Sequence, residues 1–210
     1  MKRIAFIGPP GSGKGTQSEI ISDLFDINVF SIGLALRREI EKKTDLGFKA
    51  QEYISKGELV PMDILKCFFK DFFKENEEFI VDGLPRTVDQ AKFLQTFFKN
   101  NMPLEMVIEF VVPEESVVGR LSKRIVCSKC GSLISCVNEK ICSECGSVEF
   151  EKRQDDLSEQ AIRKRISIFG EEIKEIREFY KKSGVFYSFD ASGDVLEIKS
   201  RLIELIQKNT

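Results

Sequence analysis

The sequence contains no histidine and no tryptophan, and the missing histidine limits the chemistry that the protein can perform. Histidine is the usual general acid or base near neutral pH, the base of most nucleophilic triads and a common metal ligand. Its absence excludes histidine-based acid–base catalysis, Ser-His-Asp triads and histidine-ligated metal centres. Any catalysis therefore has to rely on cations and on the positioning of substrates.

Long apolar runs and an excess of one charge are also missing. No run approaches the roughly 20 apolar residues that a membrane-spanning helix needs. The first apolar run ends at Gly8-Pro9, which is too early for the core of a secretion signal. The 32 Lys and Arg residues nearly balance the 34 Asp and Glu residues, so bulk charge does not favour nucleic acid or anionic membranes as partners. We expect a soluble, cytoplasmic monomer without nucleic-acid or membrane partners.

A strong phosphate-binding motif lies near the start of the chain. An apolar run at residues 3–7 leads into GPPGSGKGT at residues 8–16, and an amphipathic stretch follows. Gly8, four residues and then Gly13-Lys14 give the Walker A spacing, in which backbone N–H groups, a lysine and a helix N-terminus surround phosphate oxygens. The order of strand, glycine-rich loop and helix is the one that this motif requires, which makes a simple turn the weaker interpretation.

Strand patterns alternate with helical patterns along the 210 residues. We assign strands to 3–7, 29–30, 79–81, 106–112 and 185–190, and helices to 16–25, 31–41, 47–55, 62–73, 87–100, a segment opened by Pro113 that carries Arg120 and Arg124, 158–182 and 194–207. The alternation predicts an α/β fold with a P-loop NTPase-type parallel sheet flanked by helices. The helices at 31–41 and 47–55 have too little apolar surface for a core of their own, which predicts a small appended lobe at residues 31–61.

Four of the six cysteines form two matching pairs, CSKCG at 127–131 and CSECG at 142–146. Four thiolates at this spacing can close a tetrahedral zinc site, and four sulfur ligands leave no open position for a substrate. We therefore predict a structural metal held by Cys127, Cys130, Cys142 and Cys145. Cys136 lies between the pairs and outside the doubled motif, and Cys67 is interpreted as a buried apolar residue on the phenylalanine-rich helix.

The segment DGLPRTVDQ at residues 82–90 makes a family resemblance specific. With GKGT and the cysteine pairs, the chain resembles bacterial-type adenylate kinases that carry a zinc-bearing lid, over nearly its whole length. The resemblance implies reversible, Mg²⁺-dependent transfer of the γ-phosphoryl group of ATP to AMP, giving two ADP. It also implies a division into core with P-loop (1–30), AMP-binding lobe (31–61), core (62–123), zinc-binding lid (124–154) and core (155–210).

The resemblance further implies roles for individual residues. It assigns Gly11, Ser12, Gly13, Lys14, Gly15, Thr16, Arg120 and Arg124 to ATP, with Arg120 stacking on adenine; Ile32, Arg37, Val60, Gly83, Arg86 and Gln90 to AMP; and Lys14, Arg86, Arg124, Arg153 and Arg165 to catalysis. The chemistry suits phosphoryl transfer, because a planar guanidinium can bind two phosphate oxygens at once.

Several of these assignments have alternatives. Gln90 can read the adenine of AMP, but Thr87-x-x-Gln90 also fits a helix capping box. Arg120 and Arg124 are four residues apart, which places them on one helix face, and that face can also be an ordinary charged surface. Arg153 with Asp155 and Asp156 matches the Arg-x-Asp-Asp that ends the lid in the family. Counted from Asp156, the next segment is one residue longer than usual, so Lys164 competes with Arg165.

The chain departs from the family in the segment that precedes the AMP-side helix. The usual Thr-Gly-Asp is Ile32-Gly33-Leu34 here, which removes a hydroxyl near the AMP base and a carboxylate that helps to order water on Mg²⁺. Asp82 remains at the end of its strand. We hypothesise that Asp82 alone orders the Mg²⁺ hydration, with weaker metal affinity or a lower rate.

Two other functions stay open at this stage. One is a kinase for another acceptor, UMP, CMP or GMP, although a glutamine at position 90 favours AMP. The other is a nucleotide-binding protein with little turnover, in which Leu34 marks lost catalysis. A zinc-ribbon nucleic-acid binder is disfavoured, because the cysteine pairs carry few aromatic residues and mixed charge. The retained arginines favour a kinase, since a simple binder has no need to hold two phosphates from opposite sides.

Overall fold

The computed structural model describes residues 2–69, 72–73, 76–98, 103–134, 141–142, 144–153, 156 and 158–209. The elements in chain order are β1 (Arg3–Ile7), α1 (Lys14–Phe25), β2 (Asn28–Ser31), α2 (Ile32–Glu41), α3 (Asp45–Ser55), α4 (Met62–Lys66), β3 (Phe79–Asp82), α5 (Val88–Phe98), β4 (Met106–Val111), α6 (Glu114–Ser122), β5 (Ile125–Cys127), β6 (Leu133–Ile134), β7 (Phe150–Glu151), α7 (Glu159–Lys182), β8 (Phe186–Asp190) and α8 (Val195–Asn209). Asp155 and Cys136, both considered above, lie outside the described residues.

Within the described residues, five parallel strands form the central sheet in the order β2-β3-β1-β4-β8. The predicted α/β fold with a parallel sheet is confirmed. β1 lies in the middle, and its neighbour β3 pairs so that Phe6 is opposite Asp82, which in turn is opposite Ser31 of β2. The carboxyl ends of these strands therefore meet at one edge, where α/β sheets bind their ligands.

The three central strands, β1, β3 and β4, are buried on both faces because they are apolar at most positions. Ile4 and Phe6 of β1 pack against α1 and α8, whereas Ala5 and Ile7 face the layer that contains α4, α5 and α7. Burial on both sides fixes the position of β1, and the loop that follows begins at the end of this strand.

Phenylalanines fill much of the second layer. The ring of Phe73 lies 4.8 Å from that of Phe79, 4.9 Å from that of Phe98 and 5.1 Å from that of Phe30, measured between centroids. Such aromatic pairs each contribute about 0.5–1.5 kcal/mol beyond their buried area. The cluster joins β2 and β3 to the helices beneath the sheet.

Two predictions about this layer were wrong. The single helix predicted for 62–73 is interrupted: α4 ends at Lys66, a turn follows, and Phe69, Phe72 and Phe73 are again helical. Cys67 lies in that turn and is exposed, not buried. Leu65 and Phe69 occupy the buried side of the segment, and Cys67, midway between them, points outward.

A buried ion pair fixes α7 to the sheet. Glu109 of β4 is 2% exposed, and Arg177 of α7 binds both of its carboxylate oxygens, with Nε–Oε2 at 2.7 Å and Nη2–Oε1 at 2.6 Å. A buried carboxylate requires such a partner, and the two parallel bonds also set the orientation of the arginine. The pair therefore sets the position of α7 relative to β4.

The cysteine-rich segment folds on a small sheet of its own. In the described residues β5 pairs antiparallel with β6 on one side and with β7 on the other. None of the helices in the described part of the chain is both long and apolar enough to span a bilayer.

Candidate active site

The glycine-rich loop after β1 wraps around the side chain of Lys14. Gly11 and Gly13 have φ of +77° and +89°, a left-handed conformation that only glycine adopts without strain. Lys14 is the first residue of α1, and its Nζ donates to the carbonyl of Pro9 at 3.2 Å. The loop therefore encloses the ammonium group at the positive end of the α1 dipole, as an anion site requires.

Four charged side chains from three other parts of the chain lie near Lys14. The pKa of Lys14 is lowered to about 8, mainly by desolvation and also by the cations Arg86, Arg124 and Arg165, whereas Asp82 opposes the shift. These side chains lie close enough to act on one ammonium group, although Arg165 is 151 positions away in the sequence. The structure thus brings together Lys14 and three of the four arginines that the sequence assigns to catalysis.

Arg120 and Arg124 do not share a helix face, so that prediction was wrong. α6 ends at Ser122 with Lys123 as its C-cap, and Arg124 lies beyond it. Arg120 donates from Nη1 to the carbonyl of Ser12 and from Nη2 to the carbonyls of Ala191 and Gly193, all at 3.3 Å. These bonds use the edge of the guanidinium, so its planar face remains suited to stacking.

Asp156 holds the other two arginines together. Its side chain is 1% exposed; Oδ2 accepts from Nε of Arg124 at 2.6 Å, and Oδ1 accepts from Nη1 of Arg165 at 2.9 Å. The carbonyl of Arg153 accepts the backbone N–H of Asp156, which places Arg153 at the same turn. Lys164 points elsewhere: its Nζ donates to the carbonyl of Lys56 at 2.8 Å. Of the two competing residues, Arg165 is the one near Lys14.

Asp82 ends β3 beside the loop. Its Oδ2 accepts from the Ser31 hydroxyl at 2.9 Å, whereas its buried Oδ1 has no hydrogen-bond partner in the part of the chain that is described. A Cβ added at Gly15 would lie 3.7 Å from Oδ2, so the carboxylate faces the first turn of α1. A buried carboxylate oxygen without a hydrogen-bond partner suits a hydrated Mg²⁺ ion, which takes oxygen ligands and keeps several of its waters.

The turn after β3 positions Arg86 and Gln90. Nε of Arg86 donates to the carbonyl of Gly83 at 2.9 Å, and the backbone N–H of Arg86 donates to Oε1 of Gln90 at 2.7 Å. Thr87 Oγ1 accepts the backbone N–H of Gln90 at 3.2 Å, as in a capping box. Gln90 is thus part of the helix start, and its Oε1 is already used.

The remaining residues assigned to AMP lie in α2 (Ile32 and Arg37), after α3 (Val60) and after β3 (Gly83). Ile32 is 1% exposed, and its Cγ2 would be 3.9 Å from a Cβ at Gly83, while Val60 is also buried. The Arg37 guanidinium folds back on Gly33, where an added Cβ would lie 3.1 Å from Nη1. Ile32 and Gly83 therefore border the same space, next to Lys14, whose Cε is also 3.9 Å from the Gly83 position.

The sequence analysis missed Ser31 and Leu133, and it noted Asp156 and Lys164 without identifying their contacts. Ser31 is the last residue of β2 and lies at the same sheet edge as Asp82; it comes directly after the predicted strand 29–30, so a signal was available. Asp156 was noted only as part of a motif, and Lys164 only as a rival of Arg165. Leu133 gave no signal in the sequence. Its Cδ1 lies 3.7 Å from the Cβ position of Gly15, so β6 reaches over the P-loop.

Of the predicted ATP-binding residues, Ser12 and Thr16 belong to the loop and the first turn of α1, and Ser12 is fully buried.

The four paired cysteines form one cluster. Their Sγ atoms all lie within 4.8 Å of one another, with Cys127–Cys145 at 3.5 Å and Cys130–Cys142 at 3.6 Å. Sulfur ligands of a tetrahedral zinc ion lie about 3.8 Å apart, as bonds of about 2.3 Å require. The two loops match: Gly131 N–H bonds to the carbonyl of Cys127, and Gly146 N–H to that of Cys142, both at 2.9 Å. The donor set fits a metal ion.

The backbone around Cys127 favours a thiolate. Desolvation alone would raise its pKa, but hydrogen bonds from the backbone of Lys129 and Cys130 and from the side chains of Cys145 and Cys130 together lower the pKa of Cys127 to about 6. Thiolates are the form that binds metal.

Comparison with known proteins agrees with this arrangement. A family model described as adenylate kinase matches residues 6–185. The chain is 35% identical to an adenylate kinase of Archaeoglobus fulgidus over 98% of both chains, and 34% identical to one of Enterococcus faecalis over 98% of this chain and 99% of the relative. An adenylate kinase of Methanosarcina barkeri is 32% identical over 98% of both chains. With its phosphate loop, its converging arginines and this full-length similarity, the chain belongs to the adenylate kinase family.

Proposed function

We propose that this enzyme transfers the γ-phosphoryl group of ATP reversibly to AMP, with Mg²⁺, giving two ADP. The observation that carries the proposal is the group of cations around Lys14, with Asp82 beside it at the carboxyl edge of the sheet. Phosphoryl transfer needs little covalent chemistry from the protein, only alignment and compensation of negative charge. A chain without histidine can supply both.

The donor side is formed by the P-loop and by the segments that meet at Asp156. Lys14 and the N–H groups of residues 11–16 bind the phosphates of ATP, and Arg120 stacks on its adenine with an edge held by three carbonyls. Arg124 and Arg165, fixed by Asp156, bind the phosphoryl group in transit, and Arg153 supports them from the adjoining turn. Arginines held in advance need no reorganisation when charge moves.

The acceptor side is formed by α2, α3 and the turn after β3. Arg37 and Arg86 bind the AMP phosphate, and Ile32, Val60 and Gly83 line the nucleotide. Because Oε1 of Gln90 is occupied by the N–H of Arg86, the NH₂ group of Gln90 is the part that contacts the base. The two interpretations of Gln90 are therefore compatible, because the amide oxygen serves the helix start and the NH₂ group serves the base.

Mg²⁺ bound with ATP would compensate the negative charge of its phosphates. Asp82 would hold it through ordered water with the free Oδ1, while Ser31 fixes Oδ2. A structural Zn²⁺ held by Cys127, Cys130, Cys142 and Cys145 would stabilise a module too small for its own hydrophobic core.

We further propose that residues 31–61 act as the AMP-binding lobe and residues 124–154 as a lid. Leu133 of the lid segment already lies over the P-loop at Gly15, and a closed lid would exclude water that competes for the phosphoryl group. That the enzyme works as a monomer, in the cytoplasm and without nucleic acid, stays a prediction.

The first test is ADP formation from ATP·Mg²⁺ with AMP, and in parallel with UMP, CMP and GMP. We expect turnover with AMP, and Lys14→Met should lower kcat by about 100- to 1,000-fold, as loss of one charge-stabilising group does. Lys174→Met, an exposed lysine of α7, is the matched control. Thermal unfolding should be unchanged in both variants. Turnover with another acceptor alone would assign a different substrate, and ATP binding without any turnover would favour a nucleotide-binding protein.

A proton should be taken up when ATP·Mg²⁺ binds near pH 8. With the pKa of Lys14 at about 8, half of these side chains are neutral in the free enzyme at that pH. Phosphate favours the charged form, so binding should take up about 0.5 proton at pH 8 and almost none at pH 6.5, and affinity should fall as pH rises further. Calorimetry in Tris and in HEPES measures the uptake. An equal uptake by Lys14→Met would assign the proton to another group.

Restoring a carboxylate at position 34 tests the role of Asp82. Leu34 lies in the first turn of α2, where a negative side chain is favourable. We expect Leu34→Asp to lower the Mg²⁺ concentration for half-maximal rate several-fold, or to raise kcat, with Leu34→Asn as the neutral control. If neither quantity changes, the hypothesis that the missing acid weakens metal use is wrong.

Removal of one sulfur ligand should separate folding from chemistry. Cys127→Ser should lower the bound zinc content and the Tm, while kcat at low temperature changes much less than in Lys14→Met. Cys67→Ser, at an exposed cysteine outside the cluster, is the control and should keep its zinc. Full zinc content and an unchanged Tm in Cys127→Ser would contradict a four-sulfur site.

A further inference from the structure

The contact between Lys164 and Lys56 joins two segments that are 108 positions apart. Lys56 is the C-cap of α3, where the last carbonyls have no partner inside the helix and carry the negative end of its dipole. Nζ of Lys164, from the second turn of α7, donates to the Lys56 carbonyl at 2.8 Å. Lys164 therefore caps α3 from another part of the fold.

The alkyl parts of the Lys164 and Arg165 side chains pack on the turn that ends α3. A Cβ added at Gly57 would lie 3.6 Å from Cγ of Arg165 and 4.0 Å from Cδ of Lys164. The turn that ends α3 thus rests directly on α7. Arg165, the next residue, extends in the other direction to Asp156 and acts on Lys14.

We propose that Lys164 is a positioning residue for the acceptor nucleotide. Lys164 holds the end of α3 against α7. The buried Val60 lies only four residues after Lys56, so its position depends on the position of that turn. The ammonium group of Lys164 donates to a backbone carbonyl at the end of α3, whereas the guanidinium of Arg165 binds Asp156 and acts on Lys14. Adjacent residues of one helix therefore act on opposite substrates. This inference rests on the proposed function.

Lys164→Met is the sharpest test, because methionine keeps most of the stem against Gly57 and removes only the ammonium group. An exposed hydrogen bond of this kind has a modest net effect, so we expect the KM for AMP to rise about 3- to 10-fold. The KM for ATP·Mg²⁺, kcat and the Tm should stay within about twofold or 2 °C of the wild type, because the bond is on the acceptor side and α7 is anchored elsewhere. Calorimetric titration with AMP alone should show the same loss of affinity without turnover.

Two further variants complete the experiment. Lys164→Arg can still donate to the carbonyl and should restore most of the AMP affinity, and Lys174→Met on the exposed side of the same helix should change nothing. A large loss of kcat with unchanged KM values would make Lys164 a phosphate ligand and overturn the proposal. Unchanged AMP affinity, or equal rises in both KM values, would overturn it as well. Failure of the proposed function is distinguishable, because the wild type itself would then show no AMP-dependent turnover.

Discussion

The site depends on holding several cations close together in a partly desolvated space. Lys14, Arg86, Arg124 and Arg165 repel one another, and the pKa of Lys14 is lowered mainly by burial and in addition by this repulsion. Two carboxylates offset it: Asp82 beside the P-loop and Asp156 between two arginines. The same repulsion is what a polyphosphate relieves on binding, so the strain of the free site contributes to its affinity for nucleotide.

The long helix α7 links the parts of this arrangement. Near its start, Arg165 binds Asp156 close to Lys14, and Lys164 binds the end of α3; farther along, Arg177 binds the buried Glu109 of β4. Because β4 neighbours β1, the ion pair with Glu109 sets the position of the first turns of α7 relative to the P-loop. A bond deep in the sheet layer therefore helps to position two cations at its edge.

The cysteine module follows a different principle. Its two loops repeat the same backbone hydrogen bonds around their cysteine pairs, so local sequence shapes each pair, and the two pairs meet in one cluster. Small antiparallel strands without a large core contribute little stability of their own, and a metal ion bound by the four sulfurs would supply more. The module can thus extend over the P-loop at Leu133 without adding to the hydrophobic core of the sheet.

The sequence by itself determined the phosphate loop, the parallel α/β sheet and the cysteine cluster, because each depends on residues that are close in the chain and on the regular alternation of strands and helices. It also indicated Arg86, Arg124 and Arg165 through family resemblance. Only the tertiary structure decided that Arg165 and not Lys164 faces Lys14, that Asp156 joins Arg124 to Arg165, and that Ser31 holds Asp82. It also corrected the 62–73 helix, the burial of Cys67 and the helical placement of Arg124. These features depend on contacts between distant segments and on where each helix ends, and local periodicity carries little information about either.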